Sequence, residues 1–325
     1  MNNYYTTISF PSLGIEFDPI RSFTLGPLTI HLYGIIIALG LLLAVLYAWR
    51  RCKEFGIRDD DLTDGVLWIV PFAILCARAY YVIFKWKLEF ADEPITALYI
   101  WQGGLAIYGG VLGAAVGVAV FCRIRKIKLP VLLDLVSLGF LIGQSMGRWG
   151  NFFNREAFGY ETQGFLRMGL YNWLTDTTTY HHPTFLYESV WNAVGFVALH
   201  YLSKRRQYDG QIALGYAAWY GLGRTIIEGL RTDSLYIGQL RASQLLAALT
   251  CFAAVVVLLV MMFRDHSPEK LNVNQVAAKA AREAEEAAKA TQAAEEAEAA
   301  EQTAPEVPEA AEEPTQEEKA APEEQ

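Results

Sequence analysis

A chain of 325 residues in which 53% of side chains are apolar and only 19% charged has more hydrophobic surface than a water-soluble fold of its size needs to bury. Apolar runs of about 20 residues, enough to cross a hydrocarbon core about 30 Å thick, recur from Leu28 to Phe263. The formal charge of -8 belongs to the tail: residues 266–325 hold 16 Glu against 5 Lys plus Arg, a balance of -11, so the other 265 residues carry +3. The acidic pI thus says nothing about partners of the apolar body, and no nucleic-acid partner is expected.

In chain order, residues 1–27 mix Tyr, Pro, Asp and Asn without a basic start followed by a short apolar stretch, so the first helix is expected to act as its own insertion signal. Spans are expected at 28–49, 62–84, 98–122, 130–147, 183–203, 211–230 and 239–263. That is an all-α integral membrane protein of seven transmembrane helices. Basic residues cluster after the first span (Arg50, Arg51, Lys53, Arg58), the third (Arg123, Arg125, Lys126, Lys128) and the fifth (Lys204, Arg205, Arg206). Those loops are expected in the cytoplasm, which puts the N-terminus outside and the C-terminus inside. The connection 148–182 reads as a small extracytoplasmic cap. From 264 to 325 the Ala/Glu-rich sequence reads as a disordered cytoplasmic tail, transiently helical over 276–300. The four cysteines, Cys52, Cys76, Cys122 and Cys251, match neither a disulfide framework nor a zinc site and read as small hydrophobes.

With that orientation the polar residues fall unevenly in depth. His31, Tyr33, Arg78, Tyr108, Arg148, Glu188, Arg224, Glu228 and Arg231 lie toward the outer ends of their spans, and Asp134 alone lies on the inner side. A charge in hydrocarbon costs about 2.5–3.5 kcal/mol, so it is turned inward and paired. One such residue is as well explained by helix pairing as by function; several in one leaflet point to a polar cavity. On span six, Tyr220, Arg224, Glu228 and Arg231 are spaced by four, four and three, which keeps them within about 80° of one face. Arginine suits bidentate recognition of phosphate, and Glu228 is placed to orient Arg224. On span three, Gly109, Gly113 and Gly117 form a stripe for close helix packing. Gly103 and Gly104 instead mark a bent entry whose N–H groups can face a ligand.

The densest constellation is GRWGNFFNREAFG, Gly147 to Gly159, where Arg148, Asn151, Asn154, Arg155 and Glu156 interleave with aromatics. By composition it is an anion-binding site at a membrane interface. It also closely resembles the signature of the prolipoprotein diacylglyceryl transferase family. LYGIIIALG (32–40), WQGGLAIYGG (101–110), HPTFLYE (182–188) and YGLGRTIIEGLR (220–231) resemble that family's other segments in order. The likeness covers about residues 20–263 and not the tail.

The resemblance implies transfer of the sn-1,2-diacylglyceryl group from phosphatidylglycerol to the lipobox cysteine of a prolipoprotein, in the bacterial cytoplasmic membrane. It assigns essential places to Arg148, Asn151, Glu156 and Arg224 and site places to Tyr33 and Tyr220. Asn154, Gly103, Gly104, Glu228, Arg231, Arg78 and His31 complete the expected substrate-binding set. In one respect the chain departs: Tyr108 stands where many members have a histidine, so the thiol base is open between Tyr108, Glu156 and the field of the arginines. His181 and His182 adjoin on a loop and the other histidines are scattered, so no metal and no cofactor are expected. The alternative reading is a multi-helix transporter with an outer-facing anion site, although a transport path needs charges through the full depth. A transferase with another acceptor and a seven-helix receptor or scaffold are weaker rivals.

Overall fold

The computed structural model describes residues 4–26, 28–232, 236–237 and 240–302. Contacts divide the chain into two units, Met1–Ala277 and Ala278–Gln325. The first holds α1 (Leu32–Arg51), α2 (Asp59–Lys85), α3 (Ile107–Arg125), α4 (Leu129–Asn154), α5 (Thr184–Ser203), α6 (Gln211–Glu228) and α7 (Ala242–Met262). A further helix, α8 (Asn272–Gln302), begins in the first unit and runs into the second. Residues 303–325, part of the expected tail, lie outside the described residues.

Among the described residues, five segments are long and apolar enough to cross a membrane: Leu32–Phe55, Asp59–Phe90, Ile107–Arg125, Leu129–Asn154 and Ala242–Met262. Outward-facing Trp68, Leu75, Ile83, Leu246 and Phe252 are exposed, as side chains that meet lipid must be. Helices α5 and α6 are nearly as long but more polar, with Glu188, Ser189, Asn192 and Glu228 buried on them.

Gly40 of α1 lies against Gly143 and Met146 of α4, while Tyr33 lies against Gly150. A Cβ at Gly113 of α3 would stand 2.5 Å from the Cβ of Cys76, and one at Gly109 would overlap Tyr80, so the stripe brings α3 onto α2 without side chains between. Between α5 and α6 two tryptophans interlock. Trp191 Nε1 donates to the Trp219 carbonyl and Trp219 Nε1 to the Trp191 carbonyl, both at 3.0 Å, with the rings stacked at 4.5 Å.

The all-α expectation is corrected at one end. There β1 (Tyr5–Phe10), β2 (Ile15–Phe17), β5 (Met168–Asn172) and β6 (Thr177–His181) form a sheet in the order β2-β1-β5-β6. Hairpins β3 (Ser22–Leu25)–β4 (Leu28–His31) and β7 (Tyr236–Ile237)–β8 (Leu240–Arg241) lie outside it. The N-terminal segment and the expected cap are therefore one structure, joined where Ser9 pairs with Gly169. Two span boundaries also move. Residues 98–106 do not begin α3, because short 3-10 turns and the positive φ of Gly103 (91°) and Gly104 (74°) break the chain before Ile107. Helix α4 continues past 147 to Asn154, and Arg155, at φ 55°, ends it in a left-handed cap.

At the far end, Asp134 is not alone. Arg51 and Asp61 are buried there as well. Arg51 donates to Tyr47 at 2.9 Å and Ser203 at 3.1 Å, while Asp61 receives a bidentate bond from Arg58. The Asp134 carboxylate accepts the backbone N–H groups of Gly210 (2.7 Å) and Ala213 (2.8 Å), so it caps α6 from α4. Every one of these charges is matched at a helix terminus.

Candidate active site

Three helices meet below the sheet through their longest polar side chains. Glu188 of α5 stands between two arginines from other helices: its Oε1 is 2.6 Å from Nη2 of Arg148 on α4, and its Oε2 is 3.0 Å from Nη1 of Arg224 on α6. Arg224 Nη2 in turn lies 2.6 Å from Glu228 Oε2, and Arg231 Nε lies 3.9 Å from the same oxygen. On the other side Arg148 Nη1 donates to Asn151 Oδ1 at 3.2 Å, and the amides of Asn151 and Asn154 both donate to Glu156 Oε1 at 3.1 Å. One chain of alternating charge thus runs from the end of α4 to the end of α6. Glu188 and Glu228 are deep, with 3% and 2% of their side chains exposed, Glu156 at the near end is exposed, and Arg148 and Arg224 keep 20% and 17%. The guanidinium groups face the reachable space; the carboxylates hold them from behind.

Local sequence explains the arrangement. Arg148 and Asn151 are three apart and share a face of α4, as Arg224 and Glu228 do on α6; Arg231, expected on the same helix face, lies beyond the end of α6, where it bridges to Gly159. Trp149 turns away and donates to Ser189 Oγ at 3.2 Å, next to Glu188. Arg155, the other arginine of the signature, does not join. It is buried in the sheet base, donating from Nη2 to Asp18 at 3.0 Å and to the Pro19 carbonyl at 2.7 Å. Burial and repulsion from Arg21 hold its guanidinium below the usual arginine range, against the pull of Asp18. The signature's last glycine is a junction. Gly159 N donates to the His182 carbonyl at 2.9 Å, Tyr160 N donates to the Leu230 carbonyl at 2.8 Å, and a Cβ at Gly159 would stand 2.8 Å from His182 Cβ and from Leu230 O. The ends of α4 and α6 and the start of α5 meet there with room only for hydrogen.

The other expected site residues divide. Tyr220 stacks on Tyr216 at 5.7 Å, one turn from Arg224, and the Tyr33 ring packs on Gly150 of α4. Arg78 does not reach the charge chain. It is buried beneath the 94–104 loop and donates to the carbonyls of Thr96, Ala97, Gly103 and Gly104 at 2.7–3.0 Å. Gly103 and Gly104 therefore offer carbonyls to a protein arginine, and the N–H of Gly103 is bonded to Ile100 O. Their positive φ serves that latch. His31 is exposed at the end of β4, and Tyr108 is exposed on α3 with no hydrogen bond among the described residues. The residue that the expected set lacks is Glu188, the hub. Its signal was present as a carboxylate in the first turns of an apolar span, but its two partners lie 40 and 36 positions away.

Arg148 and Arg224, each with part of its guanidinium reachable, are suited to grip a monoanion such as a phosphodiester. Against the sheet side of Trp149 lies an apolar cleft of about 450 Å³, lined by Phe10, Leu13, Phe17, Phe152 and Phe185 among others. Fold and site together describe a multi-pass helical membrane protein in which arginines of two helices are held by a buried glutamate of a third. The family model for prolipoprotein diacylglyceryl transferase matches residues 21–260, and the chain belongs to that family. Similar relatives carry the name phosphatidylglycerol–prolipoprotein diacylglyceryl transferase. The protein from Limosilactobacillus reuteri is 43% identical over 256 residues, 76% of this chain and 92% of its own. That from Lactiplantibacillus plantarum is 42% identical over 254 residues (75% and 89%), and that from Shouchella clausii 43% over 249 (74% and 90%).

Proposed function

We propose that the chain transfers the sn-1,2-diacylglyceryl group of phosphatidylglycerol to the lipobox cysteine of a prolipoprotein. One observation carries this reading beyond the family name: Arg148 and Arg224, from different helices, are held side by side by Glu188 and keep part of their surface reachable. In the reaction the cysteine sulfur bonds to the glycerol carbon that carries the phosphate. The carbon–oxygen bond breaks, its electron pair stays on the departing glycerol phosphate, and a thioether remains. The two guanidinium groups bind the phosphate oxygens and stabilise the charge that develops as the bond breaks. A thiol with pKa about 8.5 must also lose its proton. The arginine field favours the thiolate, and Glu156, linked through Asn151 to Arg148, is the base we assign. Tyr108, outside that network, is not.

The same reading makes α1–α7 seven spans in the bacterial cytoplasmic membrane, with the sheet outside, the basic loops and C-terminus inside, and the Ala/Glu-rich tail a solvated appendage. The apolar cleft beside Trp149 then receives the apolar part of the exported precursor. Incubating the purified protein with phosphatidylglycerol and a lipobox peptide should add the diacylglyceryl mass to the cysteine. Unmodified peptide after incubation with folded protein would sink the proposal.

A further inference from the structure

One turn deeper than the arginines, the three helices carry a second polar tier that the phosphate site does not use. Gln144 lies four residues before Arg148 on α4, Asn192 four after Glu188 on α5, and Tyr216 and Tyr220 precede Arg224 on α6. At about 1.5 Å per residue, Gln144, Asn192 and Tyr220 are each about 6 Å farther from the sheet end and Tyr216 about 12 Å, on the same face as the charge above. Asn192 is completely buried, yet neither its Nδ2 nor its Oδ1 has a hydrogen-bond partner among the described residues. Gln144 Nε2 bonds the Tyr216 hydroxyl at 2.8 Å, while its Oε1 has no partner there. Among the described residues these are the buried neutral side chains with unpartnered polar atoms, and such orphaned amides mark a place for another molecule's polar atoms. Gln144, Tyr216 and Tyr220 are only half-buried, so the tier is reachable from outside the bundle.

We infer that this tier binds the two ester carbonyls of the diacylglyceryl group, an assignment that rests on the proposed phospholipid donor. In a diacyl phospholipid the ester oxygens lie a few bonds from the phosphate, on the way to the acyl chains. With the phosphate on Arg148 and Arg224, they reach the level of Gln144 and Asn192. Carbonyl esters only accept, so the tier must donate. Asn192 does so through Nδ2. Gln144 does so after a half turn of its amide, which lets the Tyr216 hydroxyl donate to Oε1 and frees the NH2 group. The site therefore reads the linkage of the donor as well as its headgroup.

The test compares two donors with the same headgroup and chain length, diester phosphatidylglycerol and its diether analogue, in the full-length protein with a lipobox peptide. A neutral hydrogen bond to each carbonyl is worth a factor of roughly three to ten, so wild type should favour the diester by at least about tenfold in kcat/KM. Asn192→Leu and Gln144→Leu should each lose diester turnover, keep diether turnover and bring the ratio toward one. Asn192→Leu should melt no lower than wild type, since it removes an unsatisfied group. A wild-type ratio near one, or a ratio that survives both substitutions, overturns the ester assignment and leaves the transferase reading standing. Absence of transfer from both donors overturns that reading and this one with it. The wild-type ratio decides the matter even if a variant fails to fold.

Discussion

Replacing Glu188 with Gln keeps the side chain's shape and removes the charge that two arginines share. Only 3% of that side chain is exposed, and it meets Arg148 at 2.6 Å and Arg224 at 3.0 Å. Taking one partner from a buried ion pair costs about 3–5 kcal/mol. The arginines keep 20% and 17% of their surface, so water offsets part of the loss and about 3 kcal/mol is the figure to expect. For a chain of this size that lowers the melting temperature in detergent by roughly 6–12 °C. Activity should suffer more. The amide presents an N–H to one guanidinium, the two no longer point together, and loss of one preorganised donor at a developing charge slows a reaction about 10²–10³-fold. The anion site itself becomes more positive, so KM for phosphatidylglycerol should not rise. Steady-state kinetics with a lipobox peptide, on protein shown folded by circular dichroism, gives the answer. Turnover within threefold of wild type would refute the hub role of Glu188, and so would a KM effect with kcat intact.

Gly159→Ala places a methyl within 2.8 Å of His182 Cβ and Leu230 O, and should lower stability by about 1–3 kcal/mol in a thermal melt. An unchanged melt would show that the junction yields. Arg78→Met removes the latch on the 94–104 loop: limited proteolysis should cut there faster than in wild type, with KM for the lipid within about twofold. A large rise in KM with no change in cleavage would return Arg78 to the substrate site. Glu156→Gln should slow turnover by about 100-fold and Tyr108→Phe by less than about threefold; the reverse ranking would make Tyr108 the thiol base.

Much of the architecture is written locally and can be read without coordinates. Apolar runs mark the helices, the spacing of Gly109 and Gly113 marks a close helix contact, and the spacing of Arg224 and Glu228 marks one polar face of α6. What escapes a linear reading is pairing between distant segments. Ser9 finds Gly169 across a sheet, and two polar N-terminal strands have no partner in their own neighbourhood to betray them. Helix α4 outruns its apolar pattern because Arg148 and Asn151 are neutralised by groups on α5 and in the following loop, which hydropathy cannot register. Arg78 was legible as a buried charge; that it binds carbonyls rather than substrate depends on a loop about 20 residues later folding back over it. Glu188 stood out for the same reason as Arg78, but its importance is a property of three helices at once.

The central claim is that Arg148 and Arg224 together hold the departing phosphate. Phosphorus NMR of glycerol phosphate released in the presence of lipobox peptide, set against the mass of the modified cysteine, measures it in wild type and in Arg148→Lys. One phosphate ester should appear per cysteine modified in wild type. Arg148→Lys keeps the charge but loses the fork that bonds both Glu188 and Asn151, and its release should fall at least about 100-fold in folded protein. Near wild-type release by that variant would contradict the account.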